Sequence, residues 1–199
     1  MAIDAPAAAG AGTLAKKIAK NYRLLYLDTG KLYRLIGKMA LENKKLTYKI
    51  VREKIKRLHI RELNNKGLLA DKVAISASLI AKNNNFRQIV KKFQIKCAYN
   101  PPKIYFGSVL DGRDITSVIM KDSMFKFYVT ANLKVRARRR FMEFKKLRKK
   151  ITYIQVLKSL RKRDKLDKTR KNSPLKKTKD SILINTSKLS KKASFLKIK

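Results

Sequence analysis

The chain has 199 residues, 44% of them hydrophobic, enough for one sizeable core with room for a small inserted subdomain. Fifty-two Lys and Arg against 13 Asp and Glu give a formal charge of +39, a balance suited to nucleic acid, an anionic membrane or polyphosphates. The excess is mostly Lys, spread along the whole chain with many Asn and Ile, which a composition-wide drift also produces. One cysteine, Cys97, excludes an intramolecular disulfide, and one histidine, His59, leaves no histidine metal cluster to propose. No stretch approaches about 18 consecutive apolar residues and no export signal opens the chain. The expectation is a cytoplasmic protein without a membrane segment, with Cys97 an inert thiol on a core-facing helix side.

The chain opens on "AIDAPAAAGAGTLAKKIAKNY" at 2–22. A short apolar start, a small-residue loop and an amphipathic run with Leu14, Ile18 and Tyr22 on one face predict strand, phosphate-binding loop and helix. In the G-x-x-x-x-G-K-[ST] loop, backbone amides cradle phosphates and the Lys neutralises the transferring group. Here the first glycine position is Ala5, and Ala11 follows Gly10 where that lysine stands. "LLYLDTG" at 24–30 predicts a strand ending in a turn, and Gly30 begins the next helix. From about 44 to 70 the pattern is weak: "YKIVREKIKRLHI" reads as helix and "RELNNKG" as a turn. Two helices follow at 71–82 and 86–98, the second stopped by "YNPPK". "SVLDGRD" at 108–114 predicts a buried strand with a tight glycine turn, and "FKFYVTA" at 125–131 another strand. "NLKVRARRRFMEFKKL" and "TYIQVLKSLRKRDKLDKTR" are basic helices, "SILINTS" at 181–187 is a final strand, and "KLSKKASFLKIK" is a last helix or a frayed end. Strands alternating with helices argue an α/β fold, a parallel sheet covered on both faces, with ligands beyond the carboxyl ends of the strands.

The polar clusters fall at those ends. "LDTGKLYR" brings Thr29, Tyr33 and Arg34 to a helix start, as an anion site or as a solvated helix start with Tyr33 in the core. "LDGRD" delivers Asp111, Arg113 and Asp114, an acid near a Mg-phosphate site, a phosphate fork and a second carboxylate, with a surface turn as the plainer alternative. Arg163, Asp167 and Arg170 stand at i, i+4 and i+7, along one helix face; a surface ladder of ion pairs fits that segment equally. Ser78 and Arg87, separated by the "NNN" break, could point into one cleft. His59 reads as a surface or half-buried side chain.

Taken in order, "IDAPAAAGAGTLAKKIA", "YLDTGKLYR", "SASLIAKNNNFRQIV", "VLDGRDITSVI", "VTANLKVRARRRF" and "RKRDKLDKTRKNSPL" resemble the bacterial cytidylate kinases over nearly the whole chain. That resemblance implies a single three-layer P-loop kinase domain: a core at about 1–34, 104–150 and 175–199, a nucleoside-monophosphate-binding insertion at about 35–103 and a helical lid at about 151–174. It implies transfer of the ATP γ-phosphoryl group to CMP or dCMP with Mg²⁺, by a monomer. Ala5, Pro6, Ala7, Ala8, Ala9, Gly10, Ala11, Gly12 and Thr13 would be the ATP loop, with Thr13 toward Mg²⁺. Asp111, Arg113, Arg163 and Arg170 would carry the chemistry. Arg34 and Thr29 would hold the acceptor, Asp167 would reach phosphate or ribose, and Ser78, Arg87 and Asp114 would read the cytosine edge. The chain departs from the pattern at the loop alanines, at Leu69 where an Arg is common, at "DITS" and at Asn185, and its insertion is too short for a small extra sheet. Two other readings stand beside this one: a catalytically silent basic protein that binds RNA or another polyanion, and a kinase acting on UMP or AMP.

Overall fold

The computed structural model describes residues 1–148 and 150–198. Five parallel strands, β1 (Ala2–Asp4), β2 (Leu25–Asp28), β3 (Ser108–Gly112), β4 (Lys126–Thr130) and β5 (Ile182–Asn185), form one sheet in the order β2-β3-β1-β4-β5. The helices are α1 (Ala11–Asn21), α2 (Thr29–Glu42), α3 (Tyr48–Lys56), α4 (Asp71–Ile80), α5 (Asn84–Tyr99), α6 (Leu133–Lys146), α7 (Tyr153–Thr169) and α8 (Lys191–Leu196). The period-2 alternation of the strands separates two apolar layers. Ala2, Leu25, Leu27 and Leu110 face a core shared with α2, α3 and α5, while Ile3, Val109, Phe127 and Ile184 face one shared with α1 and α8. A third cluster, with Ala137, Phe144, Val156 and Leu160, joins α6 to α7. The expected three-layer α/β architecture is present, and the order of strands reverses at β1, whose following loop therefore opens on a crevice at the carboxyl edge.

Local structure departs from expectation in three places. Residues 61–67, read as a turn, lie within two 3-10 helical turns, Ile60–Asn64 and Lys66–Leu69, and among the described residues no extra sheet accompanies them. The helix after β2 begins at Thr29, because the Asp28 carboxylate caps it by accepting from the Lys31 amide at 3.3 Å. Gly112 makes no sharp turn. It ends β3, and the glycine is demanded by crowding, since a Cβ there would strike the Thr29 hydroxyl and the Ile115 side chain.

A π-helical turn, Ile115–Ile119, follows. Its start is capped by Asp4, which is fully buried and accepts from the amides of Ile115 (2.8 Å) and Thr116 (2.9 Å) and from the Thr116 hydroxyl (2.6 Å). Cys97 is buried in the core as expected, and burial raises its thiol to about 11. His59 is exposed, at the start of the first 3-10 turn.

Two predictions come from this packing. Gly37 of α2 lies so close to α4 that a Cβ would sit 2.7 Å from the Ala77 backbone nitrogen, and the Ser76 hydroxyl donates to the Gly37 carbonyl at 3.0 Å. Gly37→Ala must therefore push the two helices apart, and chemical denaturation should show a loss of about 1–3 kcal/mol. Burial also pushes the Asp4 carboxyl from 3.8 up to about 6, against the pull of its hydrogen bonds. The folded state thus takes up this proton before the unfolded chain does. Its contribution is complete below the unfolded value and is lost as pH rises through about 6. Relative to Asp4→Asn, the parent chain should lose on the order of 1 kcal/mol between pH 5 and pH 7; parallel stability profiles would rule this out.

Candidate functional site

A cleft of about 680 Å³ opens at the carboxyl ends of the strands, lined from the loop after β1, the starts of α1 and α2, the end of β3, α4, α6, α7 and the segment after β5. Such a volume suits a small-molecule site.

The loop between β1 and α1 is held by its backbone. The Ala5 amide donates to the Gly112 carbonyl at 3.1 Å and the Ala9 amide to the Pro6 carbonyl at 3.3 Å. Arg136 donates to the Ala7 carbonyl at 3.1 Å, and the Thr186 hydroxyl and Arg139 donate to the Ala9 carbonyl at 2.8 and 3.4 Å. With these carbonyls engaged, Gly10 (φ 98) turns the chain into α1, whose start no side chain caps. A helix start with its first amides unsatisfied is the local chemistry that holds an anion. Ala5 does not occupy the left-handed region. Ala8 does, at φ 61, so the backbone cost of a side chain in this loop falls there, at roughly 1–2 kcal/mol.

In the first turn of α1, Gly12 admits no methyl group without crowding, because its Cβ would lie 3.2 Å from the Tyr26 hydroxyl and 3.3 Å from Asp111 Oδ2. Asp111 Oδ1 is buried without a hydrogen-bond partner. Burial first, then the neighbouring Asp28, raises this carboxyl to about 8. Thr29, expected beside an anion, has instead committed its hydroxyl to the Asp111 carbonyl at 2.8 Å, although it still lines the cleft.

Beyond Asp111 the cleft fills with cations. Arg34 donates to the Leu68 carbonyl at 2.7 Å, and burial followed by the charges of Arg163 and Arg140 lowers it to about 10. Arg113 donates from Nε to Asp167 at 2.8 Å; burial opposes its charge, but Asp167 outweighs it and the pKa is raised. Arg170 ends α7 with Nε on the Ser173 carbonyl at 2.7 Å, while its buried Nη2 makes no hydrogen bond and lies 3.9 Å from Asp114. Arg163 lines the same space. The sequence ladder of Arg163, Asp167 and Arg170 is therefore no surface feature, since Asp167 crosses to Arg113 of the sheet edge.

Asp114 is buried between Arg87, which ion-pairs with it, and Arg170. Ser78 lines the cleft near it and donates its own proton to the Ala74 carbonyl at 3.1 Å. Arg87 does not line the cleft. Its guanidinium lies behind Asp114, held also by the Ala81 carbonyl and over the Tyr33 ring. Sequence reasoning assigned no role to Arg136, Arg139 and Arg140. The run "RARRR" on α6 was their signal, but a basic run does not reveal which of its members turn inward. Arg136 turns furthest in, pairing with Asp164 of α7 at 2.6 and 3.1 Å.

A parallel sheet with a phosphate-type loop at its switch point, facing an arginine cluster closed by a helix, defines a P-loop nucleoside monophosphate kinase. The comparisons agree. The family profile described as Cytidylate kinase matches residues 1–196. Curated proteins named cytidylate kinase are 42% identical over 201 residues in Bartonella henselae (98% of this chain, 90% of the relative) and 41% in Bartonella tribocorum over 203 residues (98% and 90%). One from Clostridium botulinum is 36% identical over 196 residues (94% and 89%). The chain belongs to the cytidylate kinase family.

Asp164→Asn tests the tie between α7 and the loop. It leaves Arg136 buried without its counter-charge, and urea denaturation should show a loss of about 3 kcal/mol. A loss under about 0.5 kcal/mol, the range of exposed pairs, would mean that the pair is solvated.

Proposed function

We propose that this chain transfers the terminal phosphoryl group of ATP to CMP or dCMP, giving CDP or dCDP, and does so as a cytoplasmic monomer. The observation that carries the reading is one cleft lined together by the uncapped start of α1, by Arg34, Arg113, Arg163 and Arg170, and by Ser78 and Asp114. No helix in the described residues is long and apolar enough to cross a membrane.

Each group then has a part. The uncapped amides at the start of α1 hold the donor phosphates, with Ala5, Pro6, Ala7, Ala8, Ala9, Gly10, Ala11, Gly12 and Thr13 as the surrounding loop. Thr13 and the unpartnered Asp111 oxygen are suited to Mg²⁺ and its water, and bound Mg²⁺ would supply divalent charge at the phosphates. Among the described residues no cluster of three or more His, Cys, Asp or Glu could hold a metal by itself, so the nucleotide's own oxygens complete this site. Arg34, Arg113 and Arg170 clamp the acceptor phosphate, and Arg163 adds charge from α7. Residues 151–174 act as the lid, which Asp167 and Asp164 draw onto Arg113 and Arg136, excluding water. The loop fits the nucleotide in shape but lacks its cation, since Ala11 follows Gly10.

For base recognition, Ser78 has spent its proton and offers lone pairs, and Asp114 is a fixed acceptor. Both suit an exocyclic amino group, while Arg170 offers a donor toward a carbonyl or ring nitrogen. Arg87 orders Asp114 from behind. A base without that amino group leaves buried acceptors unpaired, which is the costly kind of mismatch. The polyanion-binding reading is not favoured, because the full-length family match and an enclosed arginine cluster both point to a small anionic ligand.

Thermal shift with CMP, UMP and AMP tests this. CMP should stabilise saturably, by about 2.7 kcal/mol at a hundredfold excess over Kd, with UMP and AMP weaker. Asp114→Asn should erase the preference and Arg170→Met should weaken all three. ADP formation from ATP and Mg²⁺ should require CMP in the parent chain, and Ala11→Lys, which adds charge at the same phosphates, should not lower it. No CMP response together with steeply salt-dependent RNA binding would overturn the proposal.

A further inference from the structure

We propose that the Lys31 ammonium supplies the positive charge at the transferring phosphates that the loop after β1, with alanine at position 11, does not. The inference rests on the phosphoryl transfer proposed above. Among the described residues, four lysines line the cleft: Lys17, Lys31, Lys146 and Lys191. The Lys17 ammonium lies 4.3 Å from the centre of the Phe195 ring, turned toward α8. Lys146 and Lys191 stand at the end of α6 and the start of α8, on the side where Arg139 and Thr186 already hold the Ala9 carbonyl.

Lys31 comes from the opposite wall. It follows Thr29, whose hydroxyl is fixed to the Asp111 carbonyl, and precedes Arg34 of the arginine cluster. Its position on α2 thus lies between the carboxylate nearest Gly12 and the first acceptor arginine. The Asp28 carboxylate fixes its amide at 3.3 Å, so the backbone is anchored while the four-carbon stem can swing. Among the described residues, its ammonium makes one long hydrogen bond, 3.5 Å to Asn64 Oδ1. Burial lowers its pKa, and the charges of Asp28, Lys16, Asp111 and Arg34 all act on it, so the ammonium is within electrostatic reach of both the Asp111 and Arg34 groups. Stabilisation of a phosphoryl transition state depends on where the charge ends up and not on which element delivers it. A lysine on the neighbouring helix start can therefore replace one in the loop.

The test compares Lys31→Met and Lys31→Arg in the parent chain and in Ala11→Lys, with CMP thermal shift as a folding and acceptor-site control. In the parent chain, Lys31→Met should lower kcat about 10²-fold with the KM for CMP little changed, and Lys31→Arg should keep most of the rate. In Ala11→Lys the same Lys31→Met change should cost under about fivefold, because the two cations serve one place and their effects are non-additive. A second readout needs no turnover. Acetylation of Lys31, followed by peptide mass spectrometry, should fall when a non-hydrolysable ATP analogue and CMP are present. Equal losses in both backgrounds, no loss in either, or unchanged Lys31 acetylation would overturn the inference and leave the proposed reaction standing. A parent chain without turnover beside an active Ala11→Lys would do the same. If neither chain turns over or responds to CMP, the proposed reaction falls and this inference with it.

Discussion

The cleft depends on a scarce resource, the carboxylate. The chain holds 13 acidic residues against 52 Lys and Arg, and three aspartates are placed where arginines must be held still. Asp114 fixes Arg87 and faces Arg170, Asp167 fixes Arg113, and Asp164 fixes Arg136. Each pair carries a desolvation cost that offsets much of its Coulomb gain, so such pairs contribute geometry more than net stability. What they leave over is positive. Arg34, crowded by burial and by Arg163 and Arg140, is depressed to about 10, which is the signature of like charges confined in low dielectric without enough counter-charge.

The same carboxylates join the parts of the fold that must act together. Asp164 reaches from α7 to Arg136, and Arg136 donates onward to the Ala7 carbonyl. Asp167 reaches from α7 to Arg113, which also donates to the Gly112 carbonyl at 3.1 Å. Gly112 in turn accepts from the Ala5 amide. Two chains of polar contacts thus run from α7 to the phosphate-type loop, one reaching its start at Ala5 and the other its middle at Ala7. They do so whatever side chains the loop itself carries.

How much of this was legible beforehand follows from what each signal depends on. The strands at 25–28, 108–112, 126–130 and 182–185 were readable because each is a short apolar run bounded by turns, and that pattern is local. The clustering of Ala5–Thr13, Asp28–Gly30 and Asp111–Asp114 at one sheet edge followed from the parallel topology alone. Partner choice did not follow. Thr29 spends its hydroxyl on a backbone carbonyl, Arg87 stands behind Asp114 instead of in the cleft, and the RARRR run divides among Arg136, Arg139 and Arg140 with three different partners. Each of these depends on contacts far away in the chain, which periodicity does not encode. Residues 61–67 were misread for a related reason: the Glu62 side chain accepting from the His59 amide and the Asn65 side chain accepting from the Gly67 amide tighten this stretch into 3-10 turns, and a charged, weakly periodic segment gives no sign of it.

The loop alanines separate two functions that one short motif normally combines. Cradling a phosphate requires backbone amides turned inward, and here that orientation is imposed from outside, by Arg136, Arg139 and Thr186 holding the carbonyls outward and by Gly10 making the turn at φ 98. None of these needs a particular side chain at positions 5, 7, 9 or 11, so alanine preserves the cradle, with Ala8 at φ 61 carrying the residual strain. Neutralising the transferring group is different, because only a side chain carries that charge. A lysine can be lost from the loop without loss of shape, provided that another cation can reach the same phosphates. In a cleft already crowded with arginines, with Arg34, Arg113, Arg139 and Arg170 each committed to a carboxylate or carbonyl, a loosely held ammonium at its wall is the group best able to move into that place.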